Sequence, residues 1–371
     1  MYGRAAIFMG PERGYELREL PVPEPEPGAI LVRVTMAGIC GSDLHYWRGE
    51  QSARARALVG KVGGHEMTGR VARLGPGVST DSNGVPLREG DRIAFPYFYP
   101  CGRCRVCIAG DRYACPRRLA LPGDAETPPY FTGAYAEYYY LRPGGFVFKV
   151  PDELPDELVA PVNCALCQVI FSLHQVGVRF GETVVIQGAG GLGLSAVAVA
   201  REMGAGRIIV IDGVPARLDL ARRFGADATL NLNEYPTPKA RIDRVRELNG
   251  GQPVDLACDF VGRAEVVPEG IAMLRAAGRY LEVGTITESP PTVDPSTITA
   301  GSRRVIGVAT YDPWVVPAAL EFLVRTRSRY PWDAVVSHRF PLEQINEAFR
   351  QAEWHARQGE ATAVTRAVIV P

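Results

Sequence analysis

Thr183-Val184-Val185-Ile186-Gln187-Gly188-Ala189-Gly190-Gly191-Leu192-Gly193 is the stretch on which the fold of this chain turns. Its first five residues are a β-branched apolar run, and an alanine-rich helical pattern, Leu192 to Met203, begins at the third spaced glycine. A G-x-G-x-x-G motif alone is weak, but here a strand precedes it, a helix follows, and Asp212 ends the next strand-like run 19 residues past Gly193. In that setting Gly188 permits the tight turn, Gly190 lets backbone approach a pyrophosphate at the helix N-terminus, and Gly193 lets helix and sheet pack closely. Gly191 and Leu192 complete the phosphate loop. Asp212 would accept from both adenosine ribose hydroxyls and repel a 2′-phosphate, which favours NAD over NADP.

The pattern continues on both sides. Arg207 to Ile211, Val254 to Asp259 and Arg279 to Val283 read as strands, Ala216 to Phe224 as a helix, and Ser302 to Ala309 as a closing strand. Alternating strands and helices imply right-handed βαβ units, hence an α/β domain with a doubly wound parallel sheet. The first 150 residues have another texture: short β runs such as Ile30 to Thr35 and Arg92 to Phe95 separated by turn signals such as Pro76-Gly77 and Asn83-Gly84. They read as an irregular, mainly β domain. The tail holds a helical run, Val315 to Arg325, and a final strand, Ala367 to Val370.

Composition excludes several functions. The 371 residues carry 41 basic and 41 acidic side chains, a balance that argues against binding a nucleic acid backbone. The apolar stretch Leu192 to Ala200 is far shorter than the roughly 20 residues of a membrane span, and the N-terminal run is too short for a secretory signal. The expectation is a cytoplasmic protein. There, eight cysteines point to metal or thiol chemistry rather than four disulfides.

Four of the eight stand together as Cys101-x2-Cys104-x2-Cys107-x7-Cys115. This spacing suits one tetrahedral Zn²⁺ with every position taken by protein, a structural site. The alternatives are an iron–sulfur cluster, since three cysteines at two-residue gaps and Cys115-Pro116 fit one in part, and a nucleic-acid-binding zinc ribbon, which the neutral charge disfavours. Three further segments offer metal-capable or proton-carrying groups: Gly38-Ile39-Cys40-Gly41-Ser42-Asp43-Leu44-His45, Gly63-Gly64-His65-Glu66, and Asn163-Cys164-Ala165-Leu166-Cys167.

Together, in this order, these motifs resemble the zinc-containing medium-chain alcohol dehydrogenase family across essentially the whole chain. The resemblance implies a partly open, GroES-like β-barrel catalytic domain over residues 1–165 and 309–371 and a Rossmann NAD-binding domain over 166–308. It implies two Zn per subunit. Cys40, His65 and Cys164 look like the ligands of an open catalytic site, with Cys164 chosen over the neighbouring Cys167 by its register of 24 residues before Gly188. Asp43 matches the carboxylate that orients the zinc-bound histidine, Glu66 the acid behind the metal, and Ser42 with His45 the proton relay. Arg217 fits an adenosine ribose contact, Arg366 a pyrophosphate contact, and Val283 and Gly284 the backbone that meets the nicotinamide carboxamide. Trp47, Tyr97 and Tyr135 fall where the substrate pocket is usually lined.

The activity so implied is reversible hydride transfer between an alcohol and NAD through a zinc-bound alkoxide, reducing an aldehyde or ketone in reverse, at a cleft between the domains. A polyol, amino-alcohol or formaldehyde-type dehydrogenase of the same superfamily is the alternative, and a non-catalytic redox sensor using Cys164-x-x-Cys167 is the option from another class. The family also implies a homodimer or homotetramer through edge strand Ser302 to Ala309. Arg48, Arg54, Arg56 and Lys61, opposed by Glu50, form a basic loop that is either a solvated face or a rim steering an anionic substrate.

Overall fold

All five residues of the strand Thr183–Gln187 are buried, as its unbroken apolar run demands of a strand covered on both faces. The computed structural model describes residues 1–50, 52–119, 123–284, 290–352 and 366–371, apart from the side chains of Ser52 and Arg54. Within it the chain divides into two units, one of Met1–Cys167, Asp312–Arg327 and Val335–Pro371, the other of Gln168–Tyr311 and Ser328–Ala334.

The first unit is mainly β. A seven-stranded sheet is centred on β1 (Ile30–Gly38), which pairs antiparallel with β2 (Glu66–Leu74) on one side and with the C-terminal strand Ala367–Val370 on the other; a three-stranded sheet holds Tyr2–Phe8. The C-terminal strand enters this sheet because Val368 and Ile369, both fully buried, complete its core. Helix α1 (Gly41–Trp47) leaves directly from β1, with Cys40 as its N-cap and Asp43 closing a capping box onto the Cys40 N–H. Register places Gly38 opposite Glu66, and since a Cβ on Gly38 would meet the Glu66 carboxylate at 2.3 Å, only glycine admits that acid against the strand.

In the second unit, β3 (Thr183–Gln187), β4 (Arg207–Asp212), β5 (Ala228–Asn231), β6 (Val254–Asp259), β7 (Leu274–Glu282) and β8 (Arg304–Gly307) form a parallel sheet in the order β5-β4-β3-β6-β7-β8. This is the doubly wound order, whose direction reverses between β3 and β6 and which binds ligands outside the carboxyl ends of its strands. Helix α2 (Gly191–Glu202) follows β3 at once. A Cβ on Gly193 would lie 1.9 Å from the Gly188 carbonyl oxygen, so α2 can start at this distance from the strand only on glycine. Strand β8 is the open edge of the sheet and exposes Val305.

Two observations depart from the sequence reading. Ser328–Ala334, inside the span expected in the catalytic domain, belongs to the second unit, where Tyr330 stacks on Phe224 and Trp332 meets the same ring edge-on. Residues Asp156–Val176 form a helical run long and apolar enough to cross a membrane, and most of it is buried inside the protein.

Candidate active site: two cysteine groups and a phosphate cradle

Cys40 is delivered by the end of β1, His65 by the residue before β2, and Cys164 by a π-helical turn, Val162–Leu166. Their ligand atoms, with a carboxylate oxygen of Glu66, all lie within 4.8 Å of one another. The Cys40 and Cys164 sulfurs are 3.9 Å apart, and Cys164 Sγ is 3.3 Å from His65 Nε2. Two Zn–S bonds of about 2.3 Å at a tetrahedral angle set sulfurs roughly 3.8 Å apart, so this donor set fits one ion. Three donors also leave a tetrahedral position open. The Cys40 thiol is held well below its usual range, first by the hydrogen bond from Cys164 and then by His65, against the effect of burial; that favours the thiolate, the ligating form.

The π-turn gives the paired cysteines different surroundings. A single wide turn re-aims Cys164 into the group, while Cys167, at the start of the next helix, is fully buried and its thiol pushed well up by burial alone. Asn163, next to Cys164, donates to the carbonyls of His65 and Phe95 at 3.1 Å each and accepts from Met67 N–H at 3.4 Å. It ties the π-turn to the strand that carries His65. The sequence offered only an unremarked asparagine in an apolar run.

The surrounding acids are arranged in depth. Asp43 Oδ1 lies 3.4 Å from His65 Nδ1, and its Oδ2 accepts from Cys40 N–H at 3.0 Å and from the Tyr135 hydroxyl at 2.8 Å. That geometry aims His65 Nε2 at the sulfurs. Glu66 is fully buried; burial pushes its carboxyl up, and a salt bridge from Arg366, itself buried, opposes this. Glu66 Oε1 has no hydrogen-bond partner among the described residues.

Arg366, expected at a pyrophosphate, bonds Glu66, 300 residues away in sequence, because a buried carboxylate without a counter-ion would be costly. Tyr135 was expected to line a substrate pocket. It is instead completely buried beneath Asp43, edge-on to Tyr15 and Phe349. Trp47 is taken up by the same cluster, stacked on Tyr15 with centroids 6.2 Å apart and 5.0 Å from Phe349. Aromatic rings gain most by burying their area against each other, and the Tyr135 hydroxyl finds its partner in Asp43. Tyr97 stays beside the metal group, its ring 4.8 Å from His65. Ser42 and His45 sit one turn apart on α1. The basic loop is less basic than its composition: Arg48 is nearly buried and bonded to Glu50, Arg56 is exposed, and the Arg54 side chain lies outside the described residues.

The second group is separate. Cys101, Cys104, Cys107 and Cys115 bring four sulfurs within 4.8 Å of one another, with Cys101 to Cys107 at 4.0 Å and Cys104 to Cys115 at 3.9 Å. Backbone N–H groups of Cys101 and Cys107 donate to the sulfurs of Cys115 and Cys104 at 3.4 Å. A cluster in which each cysteine takes a different iron would hold the sulfurs farther apart, so the set fits a single tetrahedral ion.

In the second unit, Gly188 has φ +97° and Gly190 is the N-cap of α2, with no side chain capping it. A Cβ on Gly190 would meet nothing within 4 Å, so the first turn of α2 faces open space in which a phosphate fits. Asp212 ends β4 beside it: one oxygen accepts from Ala189 N–H at 2.7 Å, the other from Val214 N–H at 2.8 Å. Arg217 is buried on the following helix, Pro215–Arg223, where burial lowers its pKa and Asp212 opposes that. Val283 and Gly284 continue β7 past its carboxyl end, Gly284 N–H donating to Asp259 O at 3.0 Å.

Residues 26–152 match the alcohol dehydrogenase GroES-like domain and residues 191–325 the zinc-binding dehydrogenase domain. A 5-exo-hydroxycamphor dehydrogenase of Pseudomonas putida is 34% identical over 351 residues, 94% of each chain. The erythritol/L-threitol dehydrogenase of Mycolicibacterium smegmatis is 31% identical over 354 residues, 93% of this chain and 92% of its own. An alcohol dehydrogenase of Thermotoga maritima superposes over 100% of both chains with a TM-score of 0.89 at 28% identity.

Proposed function

This chain belongs to the zinc-containing medium-chain alcohol dehydrogenase family, an oxidoreductase family acting on CH–OH groups, and we propose that it transfers hydride reversibly between an apolar secondary alcohol and NAD. The observation that carries the reading is the convergence of the Cys40, His65 and Cys164 ligand atoms, which with a Glu66 carboxylate oxygen lie within 4.8 Å of one another. Zinc held there supplies Lewis acidity that brings an alcohol's pKa toward neutrality, and a bound nicotinamide cofactor accepts hydride. The chain's own residues do the rest. Asp43 fixes the His65 ring, Ser42 and His45 carry the alcohol proton away along one face of α1, and Tyr97 offers an aromatic wall beside the metal group. The second cysteine group holds the second zinc.

An apolar substrate is favoured by that aromatic wall and by the hydroxycamphor dehydrogenase among the relatives. A polyol substrate is the second reading, favoured by the erythritol/L-threitol relative. Zinc-loaded protein is assayed by growth of reduced-cofactor absorbance against alicyclic alcohols, linear alcohols, polyols and amino alcohols. Absence of turnover with all of them would sink the proposal, and preference for polyols would select the second reading. Assembly is proposed through the open edge β8, and an analytical ultracentrifuge reading of monomer alone would refute it.

NAD rather than NADP is proposed from Asp212, a carboxylate at the end of β4 whose charge would repel a 2′-phosphate. Because the carboxylate also holds the Ala189 and Val214 N–H groups, Asp212→Ala removes both supports and the ribose acceptor. KM for NAD should rise about tenfold or more, with the NAD preference over NADP reduced. Steady-state kinetics with both cofactors check this; a wild-type preference for NADP would overturn the assignment.

A further inference from the structure

Helix α1 does not end freely. Arg48 is its C-cap and donates its N–H to Leu44 O at 3.0 Å; Gly49, at φ +78°, reverses the chain, and Glu50 folds back onto the helix. The Glu50 carboxylate thereby reaches His45 Nδ1 in a short hydrogen bond. Arg48 clamps the same carboxylate through Nε at 2.7 Å and an Nη at 3.0 Å, and that Nη lies 3.1 Å from His45 Nδ1. The His45 side chain is 4% exposed and the Arg48 side chain 9%, whereas Glu50 is 39% exposed. Nδ1 thus lies within hydrogen-bond reach of a carboxylate and a guanidinium, and of the two only the carboxylate can accept a proton carried on Nδ1.

We propose that Glu50 is a positioning residue of the proton relay: it receives the Nδ1–H of His45, holds the imidazole in the tautomer with Nε2 as acceptor, and is itself locked by Arg48. This rests on the reading of His45 as relay. When Nε2 takes the alcohol proton, the imidazolium so formed is stabilised by the adjacent carboxylate, and Glu50 stays ionised. Burial raises the Glu50 carboxyl, but hydrogen bonds from Arg48 and His45 outweigh that and hold it at about 2. His45 lies below its usual value because of burial and then Arg48, with Glu50 and the Cys40 thiolate pulling the other way. Among the described side chains, the other charges on the helices packed against α1 are Arg56, exposed on Ser52–Leu58, and Glu347 and Arg350 on Ile345–Ala352, paired with each other at 2.8 Å; Arg54, also on Ser52–Leu58, has its side chain outside the described residues.

The signs of two substitutions are therefore opposite. Alcohol oxidation needs neutral His45, so the acid limb of the pH profile follows its pKa. In Glu50→Gln the limb should move down by about one pH unit while kcat near neutrality falls about tenfold, because the tautomer is no longer held. In Arg48→Gln the limb should move up, and Glu50→Asp should recover part of the loss. Histidine ¹⁵N spectra of the wild-type chain should show His45 as the Nδ1–H tautomer, and spectra of Glu50→Gln a mixture, a readout independent of turnover. His45→Ala separates the two readings. If it leaves the acid limb in place, the relay reading fails, while the spectra still report on Glu50. If it removes the limb but Glu50→Gln moves neither limb nor tautomer, or both charge variants shift the limb the same way, the role of Glu50 is overturned.

Discussion

Cys164→Ala should lower kcat/KM by about 10³ or more and release one zinc per chain, whereas Cys167→Ala should keep both metals and most of the activity. The two cysteines are three residues apart in sequence, yet their surroundings are opposite. Cys164 stands 3.9 Å from the Cys40 sulfur and 3.3 Å from His65 Nε2. Cys167 is sealed in the apolar interior and its loss removes only a small buried side chain, worth about 1 kcal/mol of stability. Metal analysis beside steady-state kinetics reads both outcomes. Retention of full zinc by Cys164→Ala, or its loss from Cys167→Ala, would contradict the ligand assignment. The same pair tests the redox-switch alternative, since a dithiol switch requires Cys167 to be reactive.

Cys104→Ala should cost about 4 kcal/mol and lower the melting temperature by roughly 5 °C, with loss of the other zinc. Within residues 101–115 the chain forms one four-residue helix, Arg105–Ile108, and one 3₁₀ turn, Arg112–Ala114. Segments so short do not hold themselves in water. Only Cys107 and Cys115 are buried there, so apolar packing cannot replace the metal. The exposed Arg103, Arg105 and Arg112 should then become trypsin sites in the variant and stay resistant in the wild type. A variant with unchanged melting temperature and unchanged zinc would rule out a structural role for this group.

Much of this could be read from the chain because it is written locally. The glycine fingerprint, the acid that follows it and the four clustered cysteines each need only near neighbours in sequence, and spacing alone carries their meaning. The aromatic residues were misread for the converse reason. Trp47 follows the Cys40 motif in sequence and Tyr135 took its expected place from the family resemblance, but Tyr15 and Phe349, which pack against both, arrive from the other ends of the chain.

By itself the sequence determined the parallel sheet, the glycine turn before α2 and the clustering of Cys101, Cys104, Cys107 and Cys115, since strand burial, turn geometry and close spacing are properties of short segments. Tertiary structure alone decided which way the polar groups of the site point. The π-turn brought Cys164 to Cys40 and His65, Gly38 admitted Glu66, Arg366 turned to that buried charge, and Gly49 folded Glu50 back onto His45. Each of these is the pairing of a buried polar group, and a buried polar group takes whichever partner the completed fold brings within reach, however far off in sequence.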